Sequence, residues 1–180
     1  MIIPVTDYKI IQNDVPVLTR TDGGVYHYTN CLLNDFYIES EKLANILTGF
    51  DYKTNILDAI KQYGHSPKYI PVLHILTNYN LLTPDFNAPL DILAVALFLD
   101  QNQNKPVWLD FFEVNRKYRR HTAANQPYKR IGESALKSLQ QEYTHQGIEG
   151  RSTYSALDFY LKHGFNRIDN RECYLRWGKN

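Results

Sequence analysis

The chain is poor in the residues that announce the commonest chemistries. Its two cysteines, Cys31 and Cys173, lie near opposite ends of 180 residues and form no C-x-x-C pair, so neither a disulfide framework nor a zinc knuckle can be read from them. There is no G-x-S-x-G elbow, no H-E-x-x-H and no G-x-x-x-x-G-K-[ST] loop. The histidines are scattered as His27, His65, His74, His121, His145 and His163, which speaks against a local metal site, and His74, among apolar neighbours, reads as a satisfied core residue. The longest apolar run, Ile92 to Leu99, is far short of the ~20 residues that span a bilayer, and Met-Ile-Ile-Pro-Val-Thr-Asp lacks the charged-then-apolar order of a signal peptide. Charge of either sign is also lacking in excess. Twenty Lys and Arg against nineteen Asp and Glu leave +1, which removes a whole-molecule argument for capturing nucleic acid or an anionic membrane. The expectation is a cytoplasmic protein.

What is present is ordinary globular material: 43% hydrophobic and 22% charged residues, enough for a core and too balanced for a disordered tail or a fibre. The length suits one domain over 1–180, with a divergent N-terminal part, 1–89, and a ligand-binding part, 90–180. Fourteen tyrosines spread along the chain look like a packing choice.

Short β-rich pieces at Val15 to Thr21 and Val25 to Cys31 flank Asp22-Gly23-Gly24, a tight-turn sequence. Leu43, Ile46, Leu47 and Phe50 have helical spacing, as do Ile56, Leu57, Ile60 and Tyr63 ahead of Gly64. Tyr69 to Leu76 suits a strand or a buried helix, and Pro67, Pro71 and Pro84 break up its surroundings. Leu90 to Leu99, a turn at 100–104 and Val107 to Val114 predict a hairpin. Ile131, Ala135, Leu136, Leu139 and Tyr143 mark a helix ending before Gly147. A second helix runs from about Thr153 to His163, with Ser152 or Thr153 at its N-cap and Gly164 at its end. Cys173, Leu175 and Trp177 alternate as in a half-buried strand.

The chemistry concentrates between the hairpin and the first of these late helices. Arg116, Lys117, Arg119, Arg120, Lys129 and Arg130 occur with no acid among them in a nearly neutral chain. A charge run is ordinarily a solvated face. This one sits between the end of a strand and a helix opening at Ile131-Gly132-Glu133-Ser134, where free amide hydrogens and the positive end of the helix dipole favour phosphate.

Two pieces of this half resemble the GNAT family of N-acetyltransferases. Trp108-Leu-Asp-Phe-Phe-Glu-Val114-Asn-Arg-Lys-Tyr118-Arg119, with Tyr128-Lys-Arg-Ile-Gly132-Glu-Ser-Ala-Leu136, is similar to the family's fourth strand and pyrophosphate loop. Ala156-Leu-Asp-Phe-Tyr160-Leu-Lys-His-Gly164-Phe165 is similar to its late Ala-x-x-Phe-Tyr-x-x-x-Gly-Phe signature. The loop departs from Arg/Gln-x-x-Gly-x-Gly/Ala. Counting back from Gly132 puts Arg130 at the first glycine and Pro127 at the leading position; alternatively Arg119 leads and roughly Arg120 to Tyr128 is inserted. Thr153 stands where the family often has Asn.

The resemblance implies an α/β fold with a mixed, mostly antiparallel central sheet flanked by helices, and transfer of an acetyl group from acetyl-CoA to an amine of a small molecule or peptide by direct attack, without a metal. It implies a coenzyme site made by Phe112, Val114, Arg119, Arg120, Lys129, Arg130, Ile131, Gly132, Glu133 and Ser134. Tyr160 would protonate the leaving thiolate; taken alone, Tyr160 and Gly164 are also what a buried aromatic and a helix C-cap look like. Val114 would offer its backbone N–H to the developing oxyanion, and Phe112 and Val114 would pair with the pantetheine amides like an added strand. An alkylammonium has a pKa of about 10.4, so a base is needed. Asp110 is the candidate, on the alternation that puts Asp110, Phe112 and Val114 on one face and Glu113 on the other, with Glu113 and His121 in reserve. Asp110 can equally cap or pair at a strand edge. The implied partner is the amine, with no nucleic acid and no membrane, and a homodimer is compatible. Two other readings stay open: a non-catalytic acyl-CoA-binding domain of this fold, and a nucleic-acid binder using the Arg116 to Arg130 cluster.

Overall fold

The computed structural model describes residues 10–12, 18–20, 25–26, 29–31, 44, 47–64, 66, 68–77, 92–101, 104–119, 128–168 and 173–178. Eleven strands are described: β1 (Ile10–Gln12), β2 (Leu18–Arg20), β3 (Val25–Tyr26), β4 (Thr29–Cys31), β5 (Ile70–Thr77), β6 (Ile92–Asp100), β7 (Val107–Val114), β8 (Tyr128–Lys129), β9 (Ile148–Arg151), β10 (Asn166–Arg167) and β11 (Tyr174–Trp177). The helices described are α1 (Lys53–Gly64), α2 (Ile131–Glu142) and α3 (Tyr154–Lys162). The main sheet has the order β1-β4-β5-β6-β7-β9-β11-β10, and a small second sheet has the order β3-β2-β8. Every neighbouring pair of the main sheet is antiparallel except β7 and β9.

The continuous apolar run of β6 reflects a strand covered on both faces. Leu93 to Leu99 are all buried. Ala94, Ala96 and Phe98 join a core with Ala135, Leu136 and Leu139 of α2 and Leu157 of α3, whereas Val95 and Leu97 join a second core with Ile56, Ala59 and Ile60 of α1. Helices therefore flank the sheet on both sides, and no described helix is long and apolar enough to cross a membrane.

The predicted hairpin is β6 and β7, Tyr69 to Leu76 takes the strand alternative as β5, and both late helices and the last strand form. In the segment predicted as a helix over 43–50, Ala44 is helical, residues 47–49 form a turn and Leu47 and Phe50 are buried; residues 43, 45 and 46 lie outside the described residues. β2 and β3 pair antiparallel as the Asp22-Gly23-Gly24 turn requires, although the turn itself lies outside the described residues.

The sequence does not announce β9, whose four residues include Glu149 and Gly150. A Cβ on Gly150 would stand 2.9 Å from the Leu109 carbonyl oxygen, so only glycine lets this strand close on β7. At the core, His74 of β5 is fully buried and its Nε2 meets the Tyr143 hydroxyl at 2.6 Å. Burial lowers its pKa to about 3, so the ring is neutral, a core role as the sequence suggests.

Candidate functional site

The parallel pair opens a fork. β7 and β9 are in register at Val107 with Ile148, Trp108 with Glu149 and Leu109 with Gly150, and there the pairing stops while β7 runs on to Val114. Asn115 N–H donates to the Leu93 carbonyl of β6 at 2.8 Å. Because amides alternate sides along a strand, those of Val114 and Phe112 face the other edge, the one β9 has left.

The N-terminus of α2 stands at the far end of that edge. A Cβ on Gly132 would lie 3.4 Å from Val114 Cγ2 and 3.7 Å from Phe159 Cζ, so the first turn of the helix is in contact with the strand end. Arg130 occupies the N-cap at φ 57°, ψ 31° and makes no side-chain capping bond, so the N-cap residue leaves the opening amides of the helix to other partners. Glu133 binds Arg130, whose Nε donates to Oε2 at 2.5 Å, and Lys137 at 3.0 Å; the hydrogen bond from Arg130 is the main cause that pulls its carboxyl down to about 2. Two cations around one carboxylate leave the turn positive.

Across the fork, Phe159 of α3 stacks on Phe112 with ring centres 6.3 Å apart. Tyr160 follows it, half-buried, edge-on to Phe165 at 5.3 Å. Its hydroxyl has no hydrogen-bond partner among the described residues, and burial pushes it well above the ordinary phenol range. Phe112, Val114, Gly132 and the α3 segment holding Tyr160 are thus brought together from three separate parts of the chain.

Other expected residues go elsewhere. Arg119, expected at phosphate, donates from Nε to the Val114 carbonyl at 2.9 Å and from Nη1 to Asp51 at 2.6 Å, and Nη2 binds Glu113. Its charge is offset by two carboxylates there. Glu113 is buried and accepts Asp51 N–H at 2.8 Å and Tyr52 N–H at 3.1 Å, so this reserve base holds the entry to α1 against the sheet. The bond from Arg119 is also what lowers the pKa of Asp51 most. Asn115, not singled out by the sequence, donates from Nδ2 to the Ile92 carbonyl at 3.0 Å and accepts Lys117 N–H at 3.0 Å, fixing the end of β7. Arg120 and His121 lie outside the described residues, and Lys129 is described only as backbone paired with Thr19. Ile131 is buried, and Ser134 N–H is already taken by the Arg130 carbonyl at 3.0 Å.

The alternation expected for Asp110 is broken. Leu97 faces Phe111 and Phe98 faces Leu109, so Asp110 is the extra residue of a β-bulge. Phe111 packs into the α1-side core while Phe112 and Val114 pack into the other. Asp110 lines a cavity of about 550 Å³ with Tyr63 of α1 and Tyr69, on the side of the sheet away from Phe112 and Val114. Burial raises its pKa, partly countered by a hydrogen bond from Trp108. Among the described residues no group of three or more His, Cys, Asp or Glu is placed to hold a metal ion.

No family model matches the chain, and no curated protein matches it. Among solved structures it is similar to one described as "Crystal structure of bacterial toxin", at 13% identity over 90% of each chain and a TM-score of 0.45. A likeness that small carries no argument about activity.

Proposed function

We propose that the chain is a GNAT-type N-acyltransferase that moves an acetyl group from acetyl-CoA to an amine. The observation that carries the reading is the fork: the Phe112 and Val114 amides face an edge that has no partner strand among the described residues, and that edge ends at the first turn of α2, whose N-cap residue makes no side-chain capping bond. An extended chain of amides suits the edge, and a diphosphate suits the turn. The mixed sheet with helices on both faces agrees with the fold that the resemblance implies.

In this reading Ile131, Gly132 and Glu133 offer backbone N–H groups to the diphosphate, with Arg130 and Lys137 supplying positive charge. Asp110 lies on the other face of the sheet from Tyr160, so the acceptor amine enters from that face through the fork where β9 leaves β7. Asp110, or a water it holds, takes one proton from the substrate ammonium; a carboxyl with a raised pKa suits that task. The freed nitrogen lone pair forms the N–C bond as Val114 N–H faces the carbonyl oxygen that gains charge. The C–S bond breaks, Tyr160 gives its proton to sulfur, and the proton still in excess on nitrogen returns to the phenolate. Ammonium and thioester become amide and thiol, with one proton released through Asp110. The raised phenol pKa keeps Tyr160 protonated for this step.

Thermal melting with acetyl-CoA, together with release of free thiol across a panel of amines, tests the reading. Ligand at 100 times its Kd stabilises by about 2.7 kcal/mol, so a rise in Tm is expected, with thiol released only when an accepted amine is present. A shift without turnover points to the non-catalytic domain, and an unchanged melting curve contradicts the proposal.

A further inference from the structure

The cavity beside Asp110 has a composition of its own. Its walls include Tyr63, Tyr69, Trp108 and Tyr174, and its charged lining residues are Asp110 and Arg151. Tyr63 meets Tyr69 nearly edge-on at 5.5 Å, and Trp108 meets Tyr174 at 6.0 Å, so the rings brace one another in pairs. The two charged groups come from neighbouring strands at the fork: β7 and β9 last pair at Leu109 and Gly150, and the next residues are Asp110 and Arg151.

These charges do not neutralise each other. Among the described residues no ion pair joins Asp110 to Arg151, and the Arg151 guanidinium lies 5.7 Å from the centre of the Tyr174 ring. Glu149, the acid nearest Arg151 in sequence, is bound by Arg176 on β11. The cavity therefore presents a half-buried carboxylate among aromatic rings on one strand and, on the next, a guanidinium that has no carboxylate partner among the described residues. A carboxylate beside aromatic faces is suited to an ammonium group, and a guanidinium fork is suited to a carboxylate. Asp110 and Arg151 each follow the last paired residue of their strand and line the same cavity, so one small ligand carrying both charges can meet both groups.

We infer that this cavity binds a free amino acid or a close zwitterionic analogue, with its ammonium on Asp110, its carboxylate on Arg151 and its side chain between the rings. As the acceptor of acyl transfer this ligand rests on the function proposed above; as a bound ligand it does not.

The test is calorimetric titration of the full chain, without coenzyme, using L-phenylalanine, L-phenylalaninamide and 3-phenylpropionate. L-phenylalanine should bind saturably, and each analogue, lacking one charge, should bind at least tenfold more weakly. Arg151→Gln should lower the affinity for L-phenylalanine to that of the amide, and Asp110→Asn should lower it to that of 3-phenylpropionate. The response of each variant to acetyl-CoA, read as a Tm shift, reports whether the fold and the open edge survive. Equal binding of L-phenylalanine and its amide overturns the inference in favour of a peptide or ester amine, and so does no binding of any probe while the acetyl-CoA response persists. Binding with the expected pattern but no acetyl-CoA response upholds the cavity and removes the acyltransfer reading. If neither binds, both fall.

Discussion

Gly132 and Val114 touch: a Cβ on the glycine would stand 3.4 Å from Val114 Cγ2. Through this contact the first turn of α2 meets the edge that β9 abandons, although the two residues belong to a helix and a strand separated by the basic segment. Gly132→Asp should leave the protein folded, because a carboxylate in the first turn favours the helix dipole by about 0.3–1 kcal/mol. The same carboxylate should abolish the Tm rise given by acetyl-CoA. A variant that keeps the rise would separate the α2 turn from the diphosphate.

Tyr160→Phe keeps the ring that packs against Phe165 and removes only a hydroxyl without a hydrogen-bond partner among the described residues. Melting temperature and coenzyme affinity should hardly change. Transfer should slow by about 10²-fold or more, the usual size of general-acid catalysis. An untouched rate would remove Tyr160 from the chemistry.

Glu113→Ala would leave two amides and the Arg119 guanidinium without their buried acceptor. Removing one partner of such a group costs about 3 kcal/mol, or roughly 6–12 °C in Tm for a chain of this size. Because Glu113 organises the strand end and does not contact the α2 turn, the variant should still gain Tm with acetyl-CoA. Loss of stability below about 1 kcal/mol, within the range of an ordinary surface change, would show that the network contributes little.

What the sequence discloses and what it conceals follow from how local each signal is. The β6–β7 hairpin and the helices at Ile131 and Tyr154 are written in short-range periodicity, so they are legible. Arg119 reads as one more cation in a basic run because its partner Asp51 lies 68 positions away, and charge alone does not name a distant acid. The bulge at Asp110 depends on the register with β6, and β9 depends on the absence of a side chain at Gly150, neither of which is a periodic signal. Phe112, Val114 and Gly132 are expected residues that the structure brings together, with α3 reaching them through Phe159, the neighbour of Tyr160.

The neutral His74 makes acid stability a further check. Its folded pKa of about 3 lies below the ordinary 6.5, so the unfolded chain binds the proton first. Stability is complete above about 6.5 and declines as pH falls toward 3. His74→Phe should cost about 1–3 kcal/mol at neutral pH, because the buried Tyr143 hydroxyl loses its partner, yet should flatten the decline. Melting curves between pH 7.5 and 4.5 that run parallel for both proteins would contradict this account.

The most direct test of the central claim is a crystal structure grown with coenzyme A. The account requires the diphosphate against the backbone N–H groups of residues 131–133, the pantetheine chain along Phe112 and Val114, and the sulfur beside Tyr160. Coenzyme density anywhere else on the molecule, or a β7 edge closed by another segment of the chain, would contradict it.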